Sequence, residues 1–100
     1  MSNIIIACKK TQIVKAMKWT GENLRELLDF VGPHPKFSEW FTSFKEYEEL
    51  VRRQNNVFKL FNSDGVDMAM VGDYIVCNSK KEYSILTEVE FVRQYAIYNK

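Results

Sequence analysis

The sequence predicts a small α+β domain in which helices pack on an antiparallel β-sheet. The chain has 100 residues, 46% of them hydrophobic, which is the size and composition of one globular domain with a packed core. Short apolar runs separated by turn residues fill its second half, and a segment with helical periodicity precedes them. We therefore expect a single domain over residues 1–100, an antiparallel β-meander of about four to five strands packed by two to three helices.

The first third of the chain predicts a strand and then a helix. Residues 11–19 alternate imperfectly between apolar and polar side chains, as in a strand with both faces partly covered. Residues 1–10 predict either a flexible segment or an edge strand. Thr20 is placed to cap the helix that follows, and Gly32 and Pro33 end it. The apolar stripe of this helix, at helical spacing, consists of Leu24, Leu27, Leu28 and Val31.

Residues 33–55 predict a helical insertion rich in aromatic side chains. Its apolar face carries five aromatic residues between positions 37 and 47, and its other face carries charges of both signs, typical of a solvated surface. Ser43 with Glu46 forms a capping-box pattern, which predicts a break in the helix near residue 43. We interpret the aromatic stripe as core, or as an anchor for a partner where it is exposed.

The second half of the chain predicts the meander. We expect strands at Val57–Phe61 and Val66–Met70, joined by a hairpin turn at Asn62–Gly65. The Gly72-Asp73 step then turns the chain into a third strand at Tyr74–Cys77, and we place this step at the centre of the sheet, with Asp73 holding a tight turn. The buried face of the sheet is expected to be filled by Met68, Met70, Ile75 and Tyr74.

The last quarter predicts a return strand, a short helix and a closing strand. Polar residues 78–81 turn the chain, and Glu82–Leu86 runs back along the preceding strand. Thr87 with Glu90 makes a second capping box, which opens a helix through about Gln94. Ala96–Tyr98 is expected to be an edge strand.

The residues carry no recognised catalytic or metal-binding pattern. Cys8 and Cys77 lie too far apart in the sequence for a metal motif and are expected to be reduced and half-buried. His34, the only histidine, stands between two prolines without an orienting partner, so we expect an exposed loop residue. Asp64 and Asp73 occupy turn positions that favour Asp for local hydrogen bonding. We expect no cofactor, no bound metal and no enzymatic activity.

Charge and hydropathy limit the classes of partner. A formal net charge of +1 gives no overall field that attracts nucleic acid. Lys80 and Lys81, with Tyr74 and Tyr83, form a secondary candidate surface, but we do not expect direct nucleic-acid binding. The apolar run Ile4–Cys8 is far shorter than the roughly 20 residues of a membrane span, so we expect no membrane insertion and a cytoplasmic location.

Two motifs resemble those of a family of small phage and prophage proteins of unassigned function. Val14–Asn23 matches V-x-A-x-x-W-T-G-x-N, and Ala69–Val76 matches A-x-x-G-D-W/Y-I-I/V, with an F-x-x-x-Y close at Phe91–Tyr95. The chain departs from the family at Lys81-Glu82, where Gly-Glu is usual, and in its longer segment 33–54. The resemblance implies a phage origin and action in the host cytoplasm. Small phage accessory proteins commonly bind and disable host proteins, including CRISPR-type nucleases.

Our leading expectation is a non-enzymatic protein that inhibits a host protein, such as a CRISPR-type defence nuclease or its nucleic-acid complex. The expected contact residues are Trp40, Phe44, Tyr47, Glu48, Arg52 and Arg53. One alternative is a pocket at the Gly72-Asp73 turn that sequesters a small ligand or nucleotide. Another is a phage structural or accessory protein. An exposed aromatic face or the C-terminal strand would also allow a homodimer.

Overall fold

The computed structural model describes residues 4–9, 12–62 and 65–97. This part of the chain forms a five-stranded antiparallel sheet, a separate two-stranded hairpin and four helices, so the predicted α+β class is confirmed. The strands are β1 Ile5–Lys9, β2 Gln12–Lys18, β3 Phe58–Asn62, β4 Gly65–Ala69, β5 Tyr74–Cys77, β6 Tyr83–Leu86 and β7 Ala96–Ile97. The helices are α1 Leu24–Val31, α2 Phe37–Trp40, α3 Phe44–Arg53 and α4 Glu88–Gln94.

The strand order of the larger sheet is β6-β5-β2-β1-β7, and all neighbours are antiparallel. The prediction that residues 1–10 are a flexible segment or an edge strand is wrong for the described part, because β1 lies between β2 and β7. The closing strand is found at the edge as predicted, at Ala96–Ile97. Tyr98 lies outside the described residues.

The larger sheet buries both of its faces. On β2, Met17 and the adjoining Trp19 point to one face, while Val14 and Ala16 point to the other. The first face packs against α1, α3 and the β3–β4 hairpin. The second face packs against α4, where Phe91 stacks on a tyrosine of β5 with ring centroids 4.3 Å apart. Burial on both faces explains the imperfect alternation of the β2 sequence.

The cap of α1 differs from the prediction. Asn23, not Thr20, is the N-cap residue, and its buried side chain holds the loop instead of the helix. Asn23 Oδ1 accepts hydrogen bonds from the backbone N–H and the hydroxyl of Thr20, each 3.0 Å long. Asn23 Nδ2 donates to the carbonyl of Lys18 at 2.8 Å, so both ends of the Asn23 amide hold the connection between β2 and α1. Gly32, at φ +83°, follows the helix as predicted.

The predicted helix break near residue 43 is confirmed, since it separates α2 from α3. Ser43 Oγ accepts a hydrogen bond from the backbone N–H of Glu46 at 3.2 Å. Glu46 itself accepts from the backbone of Thr42, so only half of the capping box forms. The capping box at Thr87 and Glu90 is complete and opens α4 as predicted.

The Gly72-Asp73 turn connects the two sheets, so its predicted place at the centre of one sheet is wrong. β4 pairs with β3, whereas β5 pairs with β2 and β6. The turn is held from outside: Gly72 N–H donates to the Trp19 carbonyl at 2.7 Å, and Trp19 N–H donates to the Asp73 carbonyl at 2.8 Å. Met68 and Met70 are more than 60% exposed, contrary to their expected place in the core, whereas Ile75 and Tyr74 are buried.

Trp19 links the larger sheet to the rest of the fold. It is 1% exposed, lies 6.3 Å from the Phe58 ring between centroids, and donates its indole N–H to the carbonyl of Asn56 at 2.6 Å. Asn55 and Asn56 have φ of +62° and +58°, a left-handed conformation that asparagine tolerates better than most residues. The indole therefore fixes the reversal from α3 into β3.

We predict that Trp19→Phe lowers the free energy of unfolding by about 2 kcal/mol or more, because it leaves a void in the core and removes the hydrogen bond to the half-buried Asn56 carbonyl. The matched control is Trp40→Phe, at a side chain that is 47% exposed, where we expect a loss within about 0.5 kcal/mol. Urea denaturation measures both. Equal losses for the two variants would show that Trp19 has no special structural role.

Candidate functional site

A cavity of about 410 Å³ lies between the C-terminal half of α1, the loop after it, α2, α3 and β3. Its aromatic wall consists of Phe37, Trp40, Phe41, Tyr47, Phe58, Phe61 and Tyr83. Its aliphatic wall consists of Leu28, Val31, Leu50, Val51, Val57 and Leu60. Trp40 and Phe61 are 47% and 44% exposed, so the cavity reaches solvent at their rings.

Tyr47 of α3 is the centre of the aromatic contacts that hold α2 in place. Its ring centroid lies 5.0 Å from Phe37 and 5.1 Å from Phe41, and a third contact at 6.1 Å is with Phe44 of its own helix. α2 has no buried residue, so these ring contacts tie it to α3. Burial raises the pKa of Tyr47 from its ordinary value of 10.0 to about 12.

His34 lies in the loop after α1, as predicted, but it is half-buried in an aromatic stack instead of exposed. Its imidazole stacks on Trp40 with centroids 4.5 Å apart, and the edge contact with Phe61 is 5.0 Å. Its Nδ1 accepts a hydrogen bond from the backbone N–H of Lys36 at 3.0 Å. Among the described residues, no carboxylate binds the imidazole, so the side chain has the surroundings of a cavity wall and lacks those of a catalytic base.

The polar side chains of the cavity wall are few, and they include Gln54, whose amide can both donate and accept. Lys59 of β3 is the only charged residue among the lining residues that the structure describes. Tyr83 donates its hydroxyl to the carbonyl of Phe30 at 3.1 Å and so closes the wall beside α1. Burial, and after it the neighbouring Cys77 thiol, raises the pKa of Tyr83. An apolar wall with a few fixed polar groups is the usual composition of a small-molecule site.

The predicted contact residues of the 37–53 region divide into two groups. Trp40 and Tyr47 line the cavity, whereas Phe44 packs on the core under the Arg25 guanidinium, 4.1 Å from its ring centroid. The others lie away from the cavity. Glu48 and Arg52 form an exposed ion pair at 3.6 Å, and Arg53 is exposed at the end of the helix.

The secondary candidate surface does not form as a unit. Tyr74 is only 8% exposed and lies in the core, so its place in that surface is corrected. Tyr74 pairs with Leu86, and Tyr83 lies three residues before Leu86 on the same strand, so the two tyrosines point to opposite faces of the sheet. Lys80 and Lys81 are exposed in a turn that Asn78 organises by accepting from the backbone of Lys80.

The Gly72-Asp73 turn, the predicted ligand pocket, has its polar groups bonded within the fold. Asp73 Oδ2 accepts from the backbone N–H of Met70 at 2.9 Å, and the backbone groups of the turn bond to Trp19. A ligand there would find few free donors or acceptors. The cavity lies elsewhere and uses residues that the sequence interpretation missed, chiefly Phe58, Lys59, Phe61 and Tyr83.

Other candidate chemistry gives no site. Within the described ranges, no three His, Cys, Asp or Glu side chains lie where they could hold a metal ion. Cys8 and Cys77 are half-buried, as predicted, and neither forms a disulfide within the described residues. Asp64 lies outside the described residues. None of the helices described here has the length and apolar character needed to cross a membrane.

We predict that the free energy of unfolding falls as the pH rises from about 10 to about 12, and that Tyr47→Phe removes part of this fall. Below pH 10 the Tyr47 hydroxyl is protonated in both the folded and unfolded states. Above it, the unfolded chain loses this proton first, because folding raises the pKa to about 12. Urea denaturation at pH 9 and pH 11 of the unmodified chain and the variant measures the difference. An identical fall in both would contradict the burial of this hydroxyl.

Comparisons of the chain with protein-family models, with curated proteins and with solved structures give no match. The resemblance to small phage proteins therefore stays a prediction. The same holds for the phage origin and the host partner that the resemblance implies.

Proposed function

We propose that this chain is a non-enzymatic binding protein that holds a small ligand in the cavity between α1, α2, α3 and β3. The observation that carries the proposal is a space of about 410 Å³ lined largely by aromatic and aliphatic side chains. Protein interiors pack with few voids larger than a water molecule, and small-molecule sites measure roughly 300 to 1,000 Å³. The volume is that of a ligand site and exceeds that of a packing defect.

The surroundings of the cavity support binding without catalysis. His34 is held between aromatic rings, and its Nδ1 is bonded to backbone. The Tyr47 hydroxyl keeps its proton to about pH 12, which suits a hydrogen-bond donor and does not suit a proton acceptor near neutral pH. The proposed site therefore differs from the Gly72-Asp73 turn, where the sequence predicts a ligand-sequestering pocket.

The proposal is tested with N-phenyl-1-naphthylamine, a neutral dye whose fluorescence rises in apolar sites. We expect saturable binding, and at 100 times the dissociation constant a stabilisation of about 2.7 kcal/mol against unfolding. Val31→Phe adds a ring to the cavity wall and should abolish binding. Val89→Phe, at a 63% exposed position of α4, is the control and should bind as the unmodified chain does.

Thermal unfolding checks that each variant is folded before the dye is added. A folded Val31→Phe protein that binds the dye with unchanged affinity would contradict the proposed site. The absence of any saturable binding to the unmodified chain would contradict the proposed function.

A second candidate function is binding of a partner protein at the outer face of the β3–β4 hairpin. Phe61 pairs with Val66, and Met68, which is 63% exposed, follows on the same face opposite Lys59. The face is therefore apolar apart from one lysine at its end. The Phe61 ring also contacts Trp40 at 5.7 Å, which extends the face to α2. Contiguous exposed apolar surface is typical of protein interfaces. The phage-family resemblance would make this partner a host protein, such as a CRISPR-type defence nuclease.

For this candidate, we predict that Val66→Glu removes a partner that the unmodified chain captures from a bacterial host extract, because it places a charge directly opposite Phe61 in the apolar face. Lys80→Glu, in the exposed turn between β5 and β6, is the control and should leave capture unchanged. Capture of the same proteins by all three chains would exclude the hairpin face as the interface.

A further inference from the structure

We infer that the cavity takes a planar aromatic ligand that carries one anionic group, a carboxylate or a phosphate. This inference rests on the proposed ligand-binding function and adds the chemical class of the ligand. Two features of the wall support it: the arrangement of its rings, and the sign of the one charge found on it in the described part of the chain.

The rings favour a flat aromatic group. His34 and Trp40 already stack with an interplanar angle of 26°, and Phe61 meets both at distances of 5.0 and 5.7 Å. Trp40 and Phe61 each remain more than 40% exposed, so their rings keep surface that is free to cover a ligand. Offset stacking and edge contacts with such rings stabilise aromatic pairs beyond the burial of area alone.

The charge of the wall favours an anion over a cation. Lys59 lines the cavity, and no Asp or Glu is found among the lining residues in the described part of the chain. A cationic ligand would lose water without gaining a carboxylate, which is costly in an apolar site. An anionic ligand can pair with the Lys59 ammonium by a charge-assisted hydrogen bond.

Two side chains of the wall can add hydrogen bonds to such an anion. The Tyr47 hydroxyl lies on the wall, and it makes no hydrogen bond among the described residues. His34 uses Nδ1 to accept from the Lys36 backbone, which leaves Nε2 as the ring nitrogen for a ligand.

The test uses naphthalene compounds that share one ring system and differ in charge. Isothermal titration calorimetry compares 2-naphthoate and 2-naphthyl phosphate with neutral 2-naphthalenemethanol and cationic 2-naphthylmethylamine. We expect at least one of the anions to bind about tenfold or more tightly than the neutral and cationic compounds. The tighter of the two anions identifies the preferred group, and either preference supports the inference.

Lys59→Gln should weaken binding of the preferred anion about tenfold while leaving the neutral compound unchanged, because it removes the charge and keeps a polar side chain only one atom shorter. Lys45→Gln is the matched control, at an exposed lysine of α3 outside the cavity, and should change neither affinity. Binding of the neutral or cationic compound as tightly as the anions, or insensitivity to Lys59→Gln, would overturn the inference and leave the proposed function standing. Binding of none of the four compounds would overturn the inference, and the proposed function would then be decided by the dye titration.

Discussion

The arrangement of this fold depends on the hydrogen bonds of the buried Trp19. Its backbone N–H and carbonyl bond to the Gly72-Asp73 connection, while its indole N–H donates to the carbonyl of Asn56. One residue at the end of β2 therefore fixes both connections that enter and leave the β3–β4 hairpin. Because β3 forms one wall of the cavity and α3 another, the Trp19 contacts also set the distance between the two walls.

The cavity forms because residues 33–55 fold as two helices, α2 and α3, with a break between them. The helix break near Ser43 leaves α2 with only four residues and no buried side chain. α2 therefore packs against α3 through aromatic ring contacts and does not fill the cavity. Tyr47 anchors those rings to α3, and His34 and Trp40 extend them towards Phe61. A continuous helix would have carried its aromatic stripe into the core and left less room for a ligand.

Local patterns predicted most elements, while the pairing between distant elements and the site could not be read from sequence. The leucine stripe of α1, the break near Ser43 and the capping box at Thr87 are short-range features, and each lies in the structure where it was expected. The sequence correctly predicts a turn at Gly72 but places it between two strands of one sheet. The hydrogen bonds that hold this turn come from Trp19, which is distant in sequence. His34 was assigned to solvent because its stacking partners include Phe61, which is distant in sequence. The cavity combines α1, α3 and β3, and only tertiary packing brings these together.

The most direct test of ligand binding in the cavity is to map amide chemical shifts in ¹H–¹⁵N spectra during titration with N-phenyl-1-naphthylamine. We expect saturable changes concentrated in residues 28–41, 47–61 and around Tyr83, the part of the chain that lines the cavity. Changes centred on the Gly72-Asp73 turn or on the outer face of α4, or no saturable change at any amide, would contradict binding in the cavity.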